Sequence, residues 1–172
     1  SLFPSTAYGF ESGGDPKNIP DLTYQKFTEF HRKHYHPSNS RLFLYGDGDT
    51  KSYLDFLQEK YLQDFKYMNI NTSIAYQRSF KKPKRKPMSY PVSSDESLEK
   101  KTYVLVGYKL DKAVNHEHCL GFSILSHLLL GSSASPLRKA LITSELGSEV
   151  IGGGFDDNRA DTMFAVGLKG TE

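Results

Sequence analysis

The sequence predicts an α+β fold with helices packed on mainly antiparallel sheets, and three observations carry that expectation. Apolar residues recur at helical spacing in two segments of the first half, Phe27, Phe30 and His34, then Leu54, Leu57, Tyr61 and Phe65. Runs rich in β-branched and aromatic residues, Thr102 to Leu110 and the last quarter of the chain, read as strands. Between these parts Met68 to Lys100 loses its periodicity, and Pro83, Pro87 and Pro91 with Ser93, Ser94 and Ser97 mark an interdomain linker.

Taken in order, Leu22, Thr23 and Phe27 predict the first helix start, with Thr23 as N-cap and Leu22 and Phe27 as a hydrophobic staple. Pro37 forbids its continuation and biases His36 toward an extended conformation. Arg41 to Tyr45 reads as a short apolar strand, and Gly46-Asp47-Gly48-Asp49 as a turn. Lys51 to Phe65 reads as a second helix that turns Leu54, Leu57, Tyr61 and Phe65 inward. Beyond the linker, the strand Thr102 to Leu110 carries Gly107 as a bulge candidate. The helix that follows places Ile124, Leu125, Leu128 and Leu129 so densely that burial on most sides is expected. Ser135 is placed as an N-cap with Pro136 at the first helical position, and Gly147 as the helix stop. Glu149 to Gly153 and Thr162 to Leu168 predict two antiparallel strands joined by an exposed polar loop, Phe155 to Asp161.

With 172 residues, 37% hydrophobic and 13% aromatic, the chain can bury one core or two small ones. The longest apolar stretch, Leu120 to Leu130, is broken by polar residues and too short to span a bilayer, so no membrane partner is expected. A single cysteine, Cys119, excludes an intrachain disulfide. No targeting segment starts at Ser1, and the missing initiator methionine suggests processing or an engineered boundary.

The ordered set SGGDP at Ser12 to Pro16, a helix ending in YHPSN at Tyr35 to Asn39, an apolar run and then GDGD at Gly46 to Asp49 resembles the pitrilysin and insulinase superfamily (M16) of zinc-dependent peptidases. SGGDP makes it similar to the presequence protease and falcilysin branch. The likeness continues at Ser126 to Ile142 and Thr162 to Gly170. Members of the family are built from related α+β domains around a closed chamber. The resemblance therefore implies partial pitrilysin-type domains, with residues 1–76 as the later part of a first domain, 77–100 as the linker and 101–172 as the early part of a second. Domains cut in this way predict that the isolated chain self-associates or pairs its halves.

The family's metal motif is H-x-x-E-H with a later glutamate, in which two histidines one turn apart hold zinc and the glutamate takes a proton from the metal-bound water. None of His31, His34, His36, His116, His118 and His127 is followed by Glu-His at the required spacing. His116-Glu117 opens like H-E-x-x-H, yet Leu120 stands where the second histidine must be. The resemblance thus implies zinc in the parent protein, none bound by these residues, and a catalytic site upstream of Ser1. By that resemblance, these 172 residues are expected to hold no catalytic residue and no metal ligand. The implied parent activity is hydrolysis of short unstructured peptides, such as targeting peptides, in a mitochondrion, plastid or digestive vacuole. These residues would be chamber wall and substrate support, in contact with the parent's remaining domains. The competing expectation is a noncatalytic scaffolding or binding subunit of the same fold.

Three local features invite other readings. The basic run Lys81, Lys82, Lys84, Arg85 and Lys86 suits nucleic acid by charge, but it lacks interleaved aromatic platforms and the formal net charge is only +2, so a solvated linker and no nucleic-acid partner are expected. His31, His34 and His36 could form a metal cluster, since His31 and His34 share a helical face, but His36 lies at the helix end before Pro37, no carboxylate or thiol of ligand spacing is adjacent, and a structural role is expected. Gly152, Gly153 and Gly154 lack the Lys-Ser/Thr of a phosphate loop, since Phe155-Asp156-Asp157 follows. In the insulin-degrading branch a comparable glycine-containing strand anchors a peptide by β-augmentation, and that resemblance makes Gly152, Gly153 and Gly154 the candidate substrate-binding residues. The alternative is a tight bend at a strand end. Asp156 to Asp161 departs from that branch.

Overall fold

The computed structural model describes residues 2–172. The chain forms two compact units, one of residues up to Phe10 together with Ile74–Glu172, the other of Glu11–Ser73. Among the described residues, four α-helices and one antiparallel sheet make the fold α+β, as the sequence pattern predicts.

The unit Glu11–Ser73 holds α1, Tyr24–His34, and α2, Thr50–Leu57. Thr23 caps α1 as expected, its hydroxyl accepting the Lys26 N–H at 3.2 Å. At the other end Asn39 Nδ2 donates to the His34 carbonyl at 2.9 Å, satisfying one of the carbonyls that a helix end leaves open. Pro37 begins a 3-10 turn, Pro37–Asn39, across which His36 Nδ1 accepts the Ser38 N–H at 3.1 Å. Asp49, the last residue of the GDGD turn, caps α2 by accepting from Lys51 at 3.1 Å and Ser52 at 3.2 Å.

Two expectations in this unit are corrected. Arg41 to Tyr45 forms no strand among the described residues, and Phe43 is 86% and Tyr45 96% exposed. β-Propensity only favours an extended backbone, whereas a strand also needs a neighbour for its N–H and C=O groups. The second helix ends its regular part at Leu57 and continues as a π-helical turn, Gln58–Leu62. Its apolar stripe is not inward: Leu54, Tyr61 and Phe65 are all at least half exposed. The extra residue in a π-turn rotates Tyr61 and Phe65 away from the line set by Leu54 and Leu57.

The other unit contains β1, Thr102–Lys112, α3, His116–Leu130, α4, Pro136–Thr143, β2, Glu149–Asp156, and β3, Asp161–Thr171. Residues 68–100 carry no helix or strand. The sheet order is β1-β3-β2, with both pairings antiparallel. The central strand β3 holds most of the buried residues, among them Asp161, Thr162, Ala165, Leu168 and Thr171, while α3 and α4 pack against β2.

Four details here differ from expectation. Gly107 pairs in register with Ala165 and is no bulge; a Cβ there would lie 2.9 Å from Leu2 Cδ1, so the missing side chain admits the start of the chain. Ile124, Leu125 and Leu128 of α3 are about half exposed and Cys119 is its buried residue, because a three-stranded sheet covers only one side of the helix. α4 stops at Thr143, with Glu145 in the left-handed region at φ 53°, and Gly147 instead permits close approach to β3 at the Lys169 carbonyl. The hairpin loop is shorter than predicted, and Asp161, assigned to an exposed loop, is 1% exposed at the start of β3.

Candidate functional site

β2 is an edge strand whose ladder partner among the described residues is β3. Its three glycines lie at a bulge: Ile151 faces Gly167 and Gly154 faces Ala165, so Gly152 and Gly153 together oppose Val166. They are not equivalent. Gly152 has φ 91°, and a Cβ there would come within 2.6 Å of the Ala165 carbonyl oxygen. Gly154 is buried with φ 73°, and its Cβ would collide with Ser126 Oγ of α3. Gly153 is exposed, with open space where a Cβ would point. Internal packing and backbone conformation therefore explain Gly152 and Gly154. Gly153 has no such internal reason and faces solvent on a sheet edge.

Beside the bulge, Phe155 stacks on Phe122 of α3 with ring centroids 5.8 Å apart. Burial alone would raise the Asp156 carboxyl, but the Asn158 N–H at 2.9 Å and the Arg159 guanidinium at 2.5 Å outweigh it and hold the group below its usual range. Asp156, the last residue of β2, thus braces the hairpin turn.

The three early histidines are not brought together. His31 stacks on Tyr35 at 4.6 Å, His34 tilts over Phe30 at 4.5 Å, and His36 is buried edge-on to Phe65 at 5.2 Å. Among the described residues no three His, Cys, Asp or Glu side chains cluster to hold a metal. His31, His34 and His36 therefore do not form a zinc site. No helix among them is long and apolar enough to cross a membrane. Part of the basic run, Lys81, Lys82 and Lys84, lines an open groove of about 660 Å³ with Pro4, Gln77 and Phe80, and Lys84 Nζ lies 4.8 Å above the Phe80 ring.

Two polar groupings escaped the sequence reading. Asp111, near the end of β1, accepts the Lys112 N–H at 2.7 Å, contacts His118 Nδ1 and accepts Asn115 Nδ2 at 2.9 Å. The Lys112 N–H and then His118 lead in holding its carboxyl below the ordinary value. The second is buried Asp161, which accepts the Gln77 N–H at 2.6 Å and lies 3.0 Å from Lys109 Nζ. The only sequence signal for either was an acid at a strand terminus.

The family model described as Peptidase M16 inactive domain matches residues 21–172. Over 172 residues, all of this chain and 18% of the relative, it is 42% identical to Protein HypA of Clostridium perfringens. It is 43% identical to Presequence protease 1, chloroplastic/mitochondrial, of Arabidopsis thaliana, covering 99% of this chain and 16% of that protein. To Presequence protease, mitochondrial, of Xenopus laevis it is 37% identical, covering 98% of this chain and 17% of the relative. The chain thus spans less than a fifth of the length of these relatives. The chain belongs to the M16 peptidase family, in the part that the family describes as its inactive domain.

Proposed function

We propose that these residues are a noncatalytic part of a zinc-dependent metalloendopeptidase that degrades short unstructured peptides, targeting peptides among them, inside a closed chamber. The observation that carries the peptidase reading is likeness across at least 98% of the chain to proteins named presequence proteases. Zinc and the catalytic base belong to other residues of the parent. Residues 1–76 and 101–172 are parts of two successive domains joined by 77–100, and the apolar surface they expose is covered by the remaining domains. A eukaryotic parent works in a mitochondrion or plastid, as its relatives' names suggest.

Within that chamber, β2 supports substrate. Its outer edge offers backbone groups to an extended peptide, and Gly153 lets the two backbones approach without a side chain between them. Gly152 and Gly154 shape the edge by making the bulge. The test is Gly153→Val in the full-length protein, at a site where the side chain has room. Peptide affinity should fall while the melting temperature stays put. Unchanged affinity removes the support role.

The description of this region as an inactive domain favours a second reading, a noncatalytic M16 scaffolding or binding subunit. Metal analysis of the full-length protein separates the two. About one bound zinc together with hydrolysis of an unstructured peptide selects the peptidase; neither selects the scaffold.

A further inference from the structure

Asp161 is 1% exposed and opens β3, a position where an acid is costly unless it is paired. Its two oxygens serve different neighbours. Oδ2 accepts the Gln77 backbone N–H at 2.6 Å. Oδ1 lies 3.0 Å from the ammonium of Lys109, itself largely buried, in a charge contact rather than a directed hydrogen bond. Gln77 is buried too, and its Oε1 accepts both the Ser5 N–H at 3.0 Å and the Ser5 hydroxyl at 2.8 Å. The Tyr8 hydroxyl accepts the Ala160 N–H at 3.3 Å, one residue before Asp161. The start of the chain and the segment around Gln77 are thus held on one buried carboxylate, 156 and 84 residues downstream of Ser5 and Gln77 respectively.

These two segments are the crossings between the compact units, since Glu11–Ser73 leaves the other unit just after Phe10 and returns at Ile74. We infer that Asp161, Lys109 and Gln77 form a clasp that binds the roots of both crossings, at Ser5 and Gln77, to the β1–β3 ladder. An apolar pair would fill the same volume without this selectivity, because only the carboxylate takes the Gln77 amide and leaves its side chain to take Ser5. The clasp is a device of position and is independent of whether the parent hydrolyses peptides.

Hydrogen–deuterium exchange on the full-length protein tests it with two variants. In Asp161→Leu/Lys109→Met the buried charges leave together, and the amides of both Ser5 and Gln77 should exchange about 10- to 100-fold faster, the factor expected for a lost hydrogen bond to a charged group. Ladder amides of β1 and β3 should keep their protection. In Gln77→Met the Asp161 contact to the backbone remains, so the Ser5 amide alone should speed up. The clasp is overturned if both amides stay protected in the double variant. Should that variant lose its ladder protection as well, Gln77→Met decides alone: an unchanged Ser5 amide overturns the proposal.

Discussion

Ser126 of α3 and Phe155 of β2 are joined by a hydrogen bond from the Phe155 N–H to Ser126 Oγ at 3.0 Å. The helix thereby occupies an amide of the edge strand just past the glycines. The proposed peptide pairing along β2 would be confined to Glu149 to Gly153, a short stretch that a bulge already bends.

That contact makes the glycines separable by mutation. Gly154→Ala places a Cβ against Ser126 Oγ at φ 73°, and the left-handed backbone alone costs about 1–2 kcal/mol. Gly153→Ala meets open space and should leave stability within about 0.5 kcal/mol of the parent. Denaturant titration of the two variants checks the order.

Asp111 predicts a pH signature. Its carboxyl is held low in the fold, chiefly by the Lys112 N–H, so the stability it contributes is complete above the unfolded carboxylate value of about 4 and disappears as pH falls through the lower folded value. Asp111→Asn should therefore destabilise at pH 7, and the difference from the parent should shrink steadily below pH of about 4. Melting both proteins across that range measures it; a pH-independent difference would count against the assignment.

Cys119 is buried on α3 with its thiol directed at the Ala113 carbonyl, 3.5 Å away. Burial first, then Asp157 and Asp111, push its pKa up and disfavour the reactive thiolate. A disulfide exchange reagent at pH 8 should react slowly with the native protein and fast in denaturant. Equal rates would place the thiol outside.

The apolar surface of β1 predicts association. Tyr103, Val104, Leu105 and Tyr108 are all about half exposed, and Leu42, Phe43 and Tyr45 are more so. Light scattering on the isolated chain should report oligomers; a compact monomer with a sharp, cooperative melt would refute this.

Signals that depend on neighbouring residues were legible in the sequence. Thr23 and Pro37 bounded α1 correctly, and Pro136 opened α4, because caps and proline constraints act within one turn. The strand pair at the end of the chain was legible from composition, with its ends misplaced by a few residues. What depends on a distant partner was not legible. Arg41 to Tyr45 has strand-forming residues but no ladder partner among the described residues, and the α3 leucines lack a second layer to cover them. At the candidate site the glycine run stood out, but the difference between Gly153 and its neighbours comes from Ala165 and Ser126. Asp161 looked like a loop acid because its partners, Gln77 and Lys109, are 84 and 52 residues away.

The bulge also works as a parity switch. Val150 and Phe155 are an odd number of residues apart, which in a regular strand puts them on opposite faces. Their partners Leu168 and Phe164 are an even number apart, on one face of β3, so the extra glycine brings Val150 and Phe155 to the same side. The length of the glycine run is therefore itself structural information. Deleting any one of the three would leave Val150 and Phe155 four residues apart, matching Leu168 and Phe164 in a regular ladder, so Phe155 would keep its face toward Phe122 while the bulge and its bend were lost.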